Sequence, residues 1–417
     1  MHILSKSTYI KGEQCEKALY LFKNRPFLRD KLSMEQRAKF KRGVDVGLLA
    51  QQYFPGGINM TPSSPSQFSK KVVETLNNLT NPDVNVMYEA VFQYDDTLIM
   101  LDIIVRDGDK WRAIEVKSSL NLSPTYMKDA ALQYYVLKGC ELPLSDIQLM
   151  YINANYIRKG DLDLSQLFVF QSVKEYAEQY QDVIAKNIAH FKYIIKQPHS
   201  PKIPIGNQCD NPYRCEFHGH CWKDVPTEAD KPYSIDYKLL YDLIGDRNKS
   251  TAFLNLLFYR PAVPLFDGDK PYTEFIIGFS ILTNNGKYDK IYDWNCLEDM
   301  SGWKDCLPIL TEQLAGFERV ICFGWSNLLN SKDLNYKILN FKDVLQQSGF
   351  HHEKVKTDFS LKNVYESVFP DKSLFEHSRI ILNALSDNAM EKSLITNDLE
   401  DENKALREIF KKVINIL

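Results

Sequence analysis

The chain has 417 residues, 44% of them hydrophobic and 25% charged, with a formal net charge of −3. That length accommodates two or more domains with separate cores, and the charge balance excludes capture of nucleic acid by a global positive field. No apolar run of about 18 residues occurs, and Met1–Lys6 lacks a signal-peptide core, so the expectation is a cytoplasmic protein with no membrane span. Eight cysteines in such a chain argue against a disulfide framework.

The first fifty residues hold eleven Lys and Arg against five acids, which reads equally as a phosphate-facing patch or a solvated helical face. Ser5-Lys6-Ser7 precedes a helical pattern over Thr8–Lys23 that contains Cys15. A second helix spans Met34–Tyr53 and stops at Phe54-Pro55-Gly56-Gly57. A surface helix follows over Ser66–Leu79 and a strand over Val84–Tyr94, which carries Glu89.

Two strand-length apolar runs come next, Leu98–Val105 and Trp111–Val116, joined by the turn signal Asp107-Gly108-Asp109. Asp102 interrupts the first run; Glu115 and Lys117 belong to the second. Acids inside apolar strands are costly to bury alone, and a divalent cation is a partner that suits two carboxylates. Glu115 and Lys117 stand two apart, so on a strand they share a face. Such a set suits phosphodiester hydrolysis, with Lys117 orienting water or stabilising charge. The same three residues are also compatible with the solvent side of an antiparallel pair. Beyond them, Tyr126–Leu137 reads as a helix, Ile147–Tyr156 as a strand and Val173–Gln197 as a long helix.

Asp102, the Glu115-Val116-Lys117 triplet and Gln133-Tyr134 resemble the PD-(D/E)xK core of RecB-type nucleases, in the same order. Glu89 matches the acidic residue on the preceding strand. The resemblance covers about residues 1–222 and is strongest to the iron–sulfur nucleases related to the CRISPR adaptation exonuclease. It implies a restriction-endonuclease-like mixed sheet flanked by helices. It further implies Mg²⁺ or Mn²⁺ held by Glu89, Asp102 and Glu115, with Lys117 catalytic, Gln133 positioning the lysine or water, and Tyr134 touching a phosphate. A plainer role for Tyr134 is packing on the sheet. The family often has a metal-binding His where this chain has Gly47, which leaves the site with fewer ligands. DNA, single-stranded or with free ends, is the implied substrate.

Cys209, Cys215 and Cys221 are separated by five residues each, with Pro212 and Gly219 between them. With Cys15 they supply four ligands, the number for a 4Fe–4S cluster, and the iron–sulfur nucleases likewise place one cysteine before the core and three after. Zinc, with His218 or His220, and no metal at all are the alternatives. Cys140, Cys296, Cys306 and Cys322 read as small buried side chains.

A polar linker at 223–236 divides a nuclease domain, 1–222, from a second domain, 237–417. The second domain resembles a domain of unknown function with an α/β ribonuclease-H-like exonuclease fold. Where that family has Asp-Phe-Glu on its first strand, this chain has Asn255-Leu256-Leu257. Ile321–Asn327 brings no acid, Ser360-Leu361-Lys362 fits a family turn, and the tail Leu406–Leu417 lacks the matching Asp. The expectation is a catalytically inactive domain that binds a strand or a protein partner. His351-His352 reads as solvent-exposed. The rival to a metal-dependent nuclease is a non-catalytic nucleic-acid-binding or assembly protein that retains the fold.

Overall fold

The computed structural model describes residues 4–31, 34–223, 232–246, 249–284, 289–296, 302–324, 336–356, 359–374 and 389–414. They divide into two compact units, one drawn from Met1–Ser33, Lys39–Val225 and Pro261–Thr273, the other from Met34–Ala38, Pro226–Arg260 and Glu274–Leu417. Both are mixed α/β, with mixed sheets flanked by helices. The sequence boundaries at 222 and 237 made no allowance for the two exchanged segments, 34–38 and 261–273. Residues 224–231 of the expected linker lie outside the described residues.

In the first unit, β1 (Leu4–Ser5) runs into α1 (Lys6–Gln14) and α2 (Glu16–Asn24). The single helix expected over 8–23 is broken at Cys15, whose φ of −163° and ψ of 116° are extended. Then come α3 (Met34–Tyr53), β2 (Ile58–Asn59), α4 (Phe68–Thr80) and β3 (Val86–Tyr94). The chain continues through β4 (Thr97–Asp107), β5 (Lys110–Lys117), α5 (Pro124–Gly139), β6 (Leu144–Ile152), α6 (Leu164–Leu167) and β7 (Phe168–Ser172). The long helix expected over 173–197 is two helices, α7 (Lys174–Gln179) and α8 (Gln181–Ile195), because Tyr180 leaves helical geometry with ψ near 1°. The short α9 (His218–Trp222) follows.

Turn chemistry sets the sheet. Gly108 takes a φ of +66° in the β4–β5 hairpin, where a Cβ would be strained. Asp95 and Asp96 take φ of 48° and 54° between β3 and β4, as short polar side chains tolerate. The sheet has seven strands in the order β2-β3-β4-β5-β6-β7, with β1 parallel to β4. β5 and β6 run parallel; β3, β4 and β5 are successive antiparallel neighbours. Ala90, Leu101 and Ala113 pack into the core formed with α1, α5 and α8. Tyr88, Ile103 and Ile114 pack on the other face with Val46 and Ala50 of α3.

Pro261–Thr273 completes this second face, where Ala262, Val263 and Tyr272 join the core. Arg158 grips the segment by donating from Nη1 to the carbonyls of Pro264 and Leu265 at 3.0 and 2.9 Å. The Tyr272 hydroxyl donates to the carbonyl of Ser118, the residue after Lys117. The segment therefore braces the end of β5.

The second unit contains α10 (Tyr237–Ile244), β8 (Thr251–Tyr259), β9 (Phe275–Asn284), β10 (Asp289–Asn295), α11 (Trp303–Leu314) and β11 (Arg319–Cys322). It continues with β12 (Lys337–Asn340), α12 (Phe341–Gln347), α13 (Leu361–Val368) and α14 (Ala389–Ile414). Its five strands run β10-β9-β8-β11-β12, with β8, β11 and β12 parallel. Ser360 caps α13 through the N–H of Asn363. The exposed pair expected at 351–352 is split. His351 is exposed, but His352 is only 5% exposed and its Nδ1 lies 3.0 Å from the Ser367 hydroxyl. Adjacent residues in an extended segment point to opposite sides, so a double His need not share one environment.

Arg158→Ala should release 261–273 from the first unit, since hydrogen bonds from a charged group are worth about 1.5–3 kcal/mol. Limited proteolysis should then cut within this segment at least several-fold faster, and an unchanged cutting rate would show that Arg158 does not hold it.

Candidate active site

The strand pairing puts Glu89, Asp102 and Glu115 in one row. Tyr88 pairs with Ile103 and Ala90 with Leu101, which sets Glu89 opposite Asp102. Ile103 pairs with Ile114, which sets Asp102 beside Glu115. The β4–β5 ladder ends at that pair, so Glu115, Val116 and Lys117 continue alongside β6 alone. Asp102 fills the gap, its Oδ2 accepting the Val116 N–H at 2.6 Å.

Side-chain alternation also resets at this row. Tyr88 and Ala90 pack on opposite faces, as do Leu101 and Ile103, although residues two apart on a regular strand share a face. The residues between them are Glu89 and Asp102. Glu89 carries the local distortion, with a φ of 53°, a conformation costing a non-glycine residue about 1–3 kcal/mol.

Glu115 is 2% exposed and fully engaged. Its Oε1 accepts from Lys6 Nζ and Lys117 Nζ, each at 2.7 Å, and its Oε2 from Gln133 Nε2 at 2.6 Å. Lys117 Nζ also donates to Asp129 Oδ2 at 2.6 Å and stands 5.0 Å from the Tyr126 ring centre. Lys6 Nζ lies 3.7 Å from the same Asp129 oxygen. Burial alone would raise the Glu115 carboxyl, but the Lys117 and Lys6 ammoniums hold it well below the carboxylate range. Burial opposes the charge on Lys6 and Lys117 too, and Asp129 and Glu115 outweigh it, raising both. Asp102 is raised by burial first and by the Glu115 charge second, and Glu89 likewise.

The sequence-expected residues are therefore gathered with one exception. Gln133 is fully buried against Glu115. Tyr134 is not at the site: it is 4% exposed in the core, and its hydroxyl donates to Glu178 Oε1 at 2.9 Å. Consecutive helical residues lie about 100° apart, so Gln133 and Tyr134 cannot both face the carboxylates. The residue sharing the Gln133 face is Asp129, one turn earlier. Its i, i+4 spacing was a readable signal. Lys6 had none, lying 109 positions from Glu115.

Whether this set suits a divalent cation turns on its oxygens. Asp129 Oδ1 and Gln133 Oε1 are buried without a hydrogen-bond partner, and buried acceptors are normally satisfied. Carboxylate and amide oxygens are the hard donors that Mg²⁺ and Mn²⁺ take. Among the described residues, no three His, Cys, Asp or Glu side chains converge on a single ion, Glu115 being turned to its two lysines. At Gly47 a side chain would meet open space.

Cys15, Cys209, Cys215 and Cys221 line one cavity, together with Ala18, Ile203, Phe217 and His218. All four are free thiols. The helix break at Cys15 turns its sulfur to this cavity instead of along a continuous helix. Burial raises the thiols of Cys15 and Cys215, the latter to about 11, and neighbouring cysteines push the same way. Burial alone keeps these cysteines as neutral thiols, and only a bound cation or cluster would take them as thiolates. Four cysteines around one cavity fit the ligand count of a four-iron cluster. His218 is stacked on Trp222 at 4.9 Å, with its Nδ1 3.3 Å from Arg214 Nη2.

In the second unit, Asn255 occupies the first-strand position and its Nδ2 donates to Glu402 Oε2 at 2.8 Å. Glu402 is buried and lies on α14 ahead of the tail, 406–417, where an acid was sought. Asn403 beside it donates to the carbonyls of Phe253 and Ser280. One carboxylate against one amide binds the helix to the sheet.

No protein-family model and no curated protein matches the chain. No helix among the described residues is long and apolar enough to cross a membrane.

Asp102→Asn keeps an oxygen for the Val116 N–H and removes a partly buried carboxyl whose ionisation the fold disfavours, so it should stabilise the metal-free fold by about 1–2 kcal/mol near neutral pH. Because the Asp102 pKa is raised, the folded chain binds more protons than the unfolded chain above about pH 4, and wild-type stability should fall relative to the variant as pH rises. Thermal melts from pH 4 to 8 read this directly; identical profiles would refute it.

Proposed function

We propose that the first unit is a metal-dependent nuclease of the RecB-like PD-(D/E)xK kind, hydrolysing phosphodiester bonds in single-stranded or end-bearing DNA. The observation that carries this reading is the pair of buried Glu115 and half-buried Lys117, joined by Asp102 across the β4–β5 split and by Gln133 from α5. Glu89, Asp102 and Glu115 would hold the cation, with the unpartnered oxygens of Asp129 and Gln133 beside them. When bound, Mg²⁺ or Mn²⁺ supplies Lewis-acid polarisation of a phosphoryl oxygen and lowers the pKa of water.

The remaining chemistry belongs to the chain. Lys117 offers a fixed positive charge to the attacking water or to charge developing on the phosphate. Asp129 fixes that ammonium from the far side, and the Tyr126 ring lies beside it. Gln133 holds Glu115 in one orientation. Tyr134 packs α5 and takes no part. The four cysteines would carry a 4Fe–4S cluster of structural role, tying the start of the chain to the end of the unit. The second unit is read as a non-catalytic binding or bracing domain.

The test is a Mn²⁺-dependent digestion of end-labelled single-stranded DNA. Lys117→Ala and Glu115→Ala should lose at least roughly 10²-fold in rate, while Tyr134→Phe should stay within about twofold. A wild-type protein that binds the DNA and leaves it intact would favour the non-catalytic binding reading. Anaerobically purified protein should also be brown, and Cys215→Ser should lose iron and colour together; a colourless, zinc-loaded wild type would sink the cluster.

A further inference from the structure

Lys6 is the least expected member of the site. It stands at the first position of α1, where the helix dipole disfavours a cation, and α1 has no acid in its first turn. The backbone there is pinned twice. β1 pairs with Thr97 and Leu98 of β4, and the Ser5–Thr8 capping box fixes the start of the helix. The result places the ammonium 2.7 Å from Glu115 Oε1 and 3.7 Å from Asp129 Oδ2, and within electrostatic range of Asp102 and Glu89.

This ammonium shares with Lys117 the Glu115 oxygen that a cation between Asp102 and Glu115 would need, and takes the coordination position that Lys117 leaves open. The charge of the cluster has the matching value. Glu89, Asp102, Glu115 and Asp129 against Lys6 and Lys117 leave a formal charge of minus two, which one divalent cation neutralises. Lys6 also has somewhere to go, because Asp129 lies next to it and presents an unpartnered oxygen, Oδ1.

We propose that Lys6 is a resident counter-cation of this site, which holds Glu115 in the metal-free protein and yields its Oε1 when a divalent cation binds, moving toward Asp129. Metal loading then competes with an internal ion pair, and the affinity for metal is set below what the carboxylates alone would give. This rests on the nuclease reading only in taking the carboxylates as metal ligands.

The experiment is Mn²⁺ binding to the full chain, followed by electron paramagnetic resonance of free Mn²⁺ and by calorimetry, with no DNA present. Lys6→Met should bind Mn²⁺ about tenfold more tightly or better, as expected for removal of a unit charge a few ångströms away. Lys6→Arg should stay near wild type. Lys6→Gln serves in place of Lys6→Met if circular dichroism shows the latter unfolded. Equal or weaker Mn²⁺ binding by the folded neutral variants, beside a wild type whose binding is lost in Glu115→Ala, would overturn the proposal and leave the metal site standing. Failure of wild type and neutral variants alike to bind Mn²⁺ would overturn both.

Discussion

The burial of one carboxylate, Glu115, constrains the whole first unit. A lone carboxylate at this depth would be protonated or would unfold its surroundings. Here three donors from three separate elements meet it: Lys117 from its own strand, Gln133 from α5 and Lys6 from α1. Each donor has to be delivered within hydrogen-bond distance, which explains features that are otherwise odd. The two-residue strand β1 exists to register α1 against β4. The β4–β5 ladder ends at Ile103–Ile114 and so frees Glu115 and Lys117 from hairpin geometry. Replacing such a cluster with apolar side chains would often be neutral or stabilising, so stability does not account for it.

The same helix that delivers Lys6 ends at Cys15. A helix of nine residues is about 13 Å long, and α1 therefore spans from the carboxylate row to the cysteine cavity. The cavity is closed by chain from far along the sequence: Gln14 donates to the carbonyls of Gln208 and Tyr213, and Lys11 pairs with Glu216 at 2.9 Å. Anything that ties Cys15 to Cys209, Cys215 and Cys221 fixes one end of α1 and hence the position of Lys6 at the other. The two centres are chemically distinct and mechanically joined.

Much of this was legible in the sequence. Strand pattern, turn residues and the two-residue spacing of Glu115 and Lys117 are local signals, and the hairpin and shared face follow from them. The α/β class of both units was expected from the family resemblances, and mixed sheets flanked by helices are what the structure has. What escaped were contacts made by topology. Lys6 reaches Glu115 only because β1 joins the sheet beside β4, and Glu402 reaches Asn255 only because α14 crosses β8. Tyr134 shows the opposite failure, a neighbour in sequence mistaken for a neighbour in the site. The breaks at Cys15 and Tyr180 were invisible because helix-forming residues continue through both, and tertiary packing decided against propensity.

The row Glu89–Asp102–Glu115 concentrates departures from what folding alone would choose. A non-glycine residue takes a left-handed conformation, strand alternation slips on two neighbouring strands at once, and Asp129 and Gln133 leave oxygens unpaired in the interior. Strain, orphaned acceptors and perturbed carboxyls each have mundane explanations singly. Gathered around one row, they are what the proposed cation site would require, and Lys6 supplies one positive charge there. The second unit offers the contrast. Its corresponding strand position holds an amide that donates to Glu402, the Asn403 amide donates to the carbonyls of Phe253 and Ser280, and these bonds bind helix to strand, although Asn403 Oδ1 is itself buried without a partner. The chemical potential of this chain lies where its structure is least relaxed.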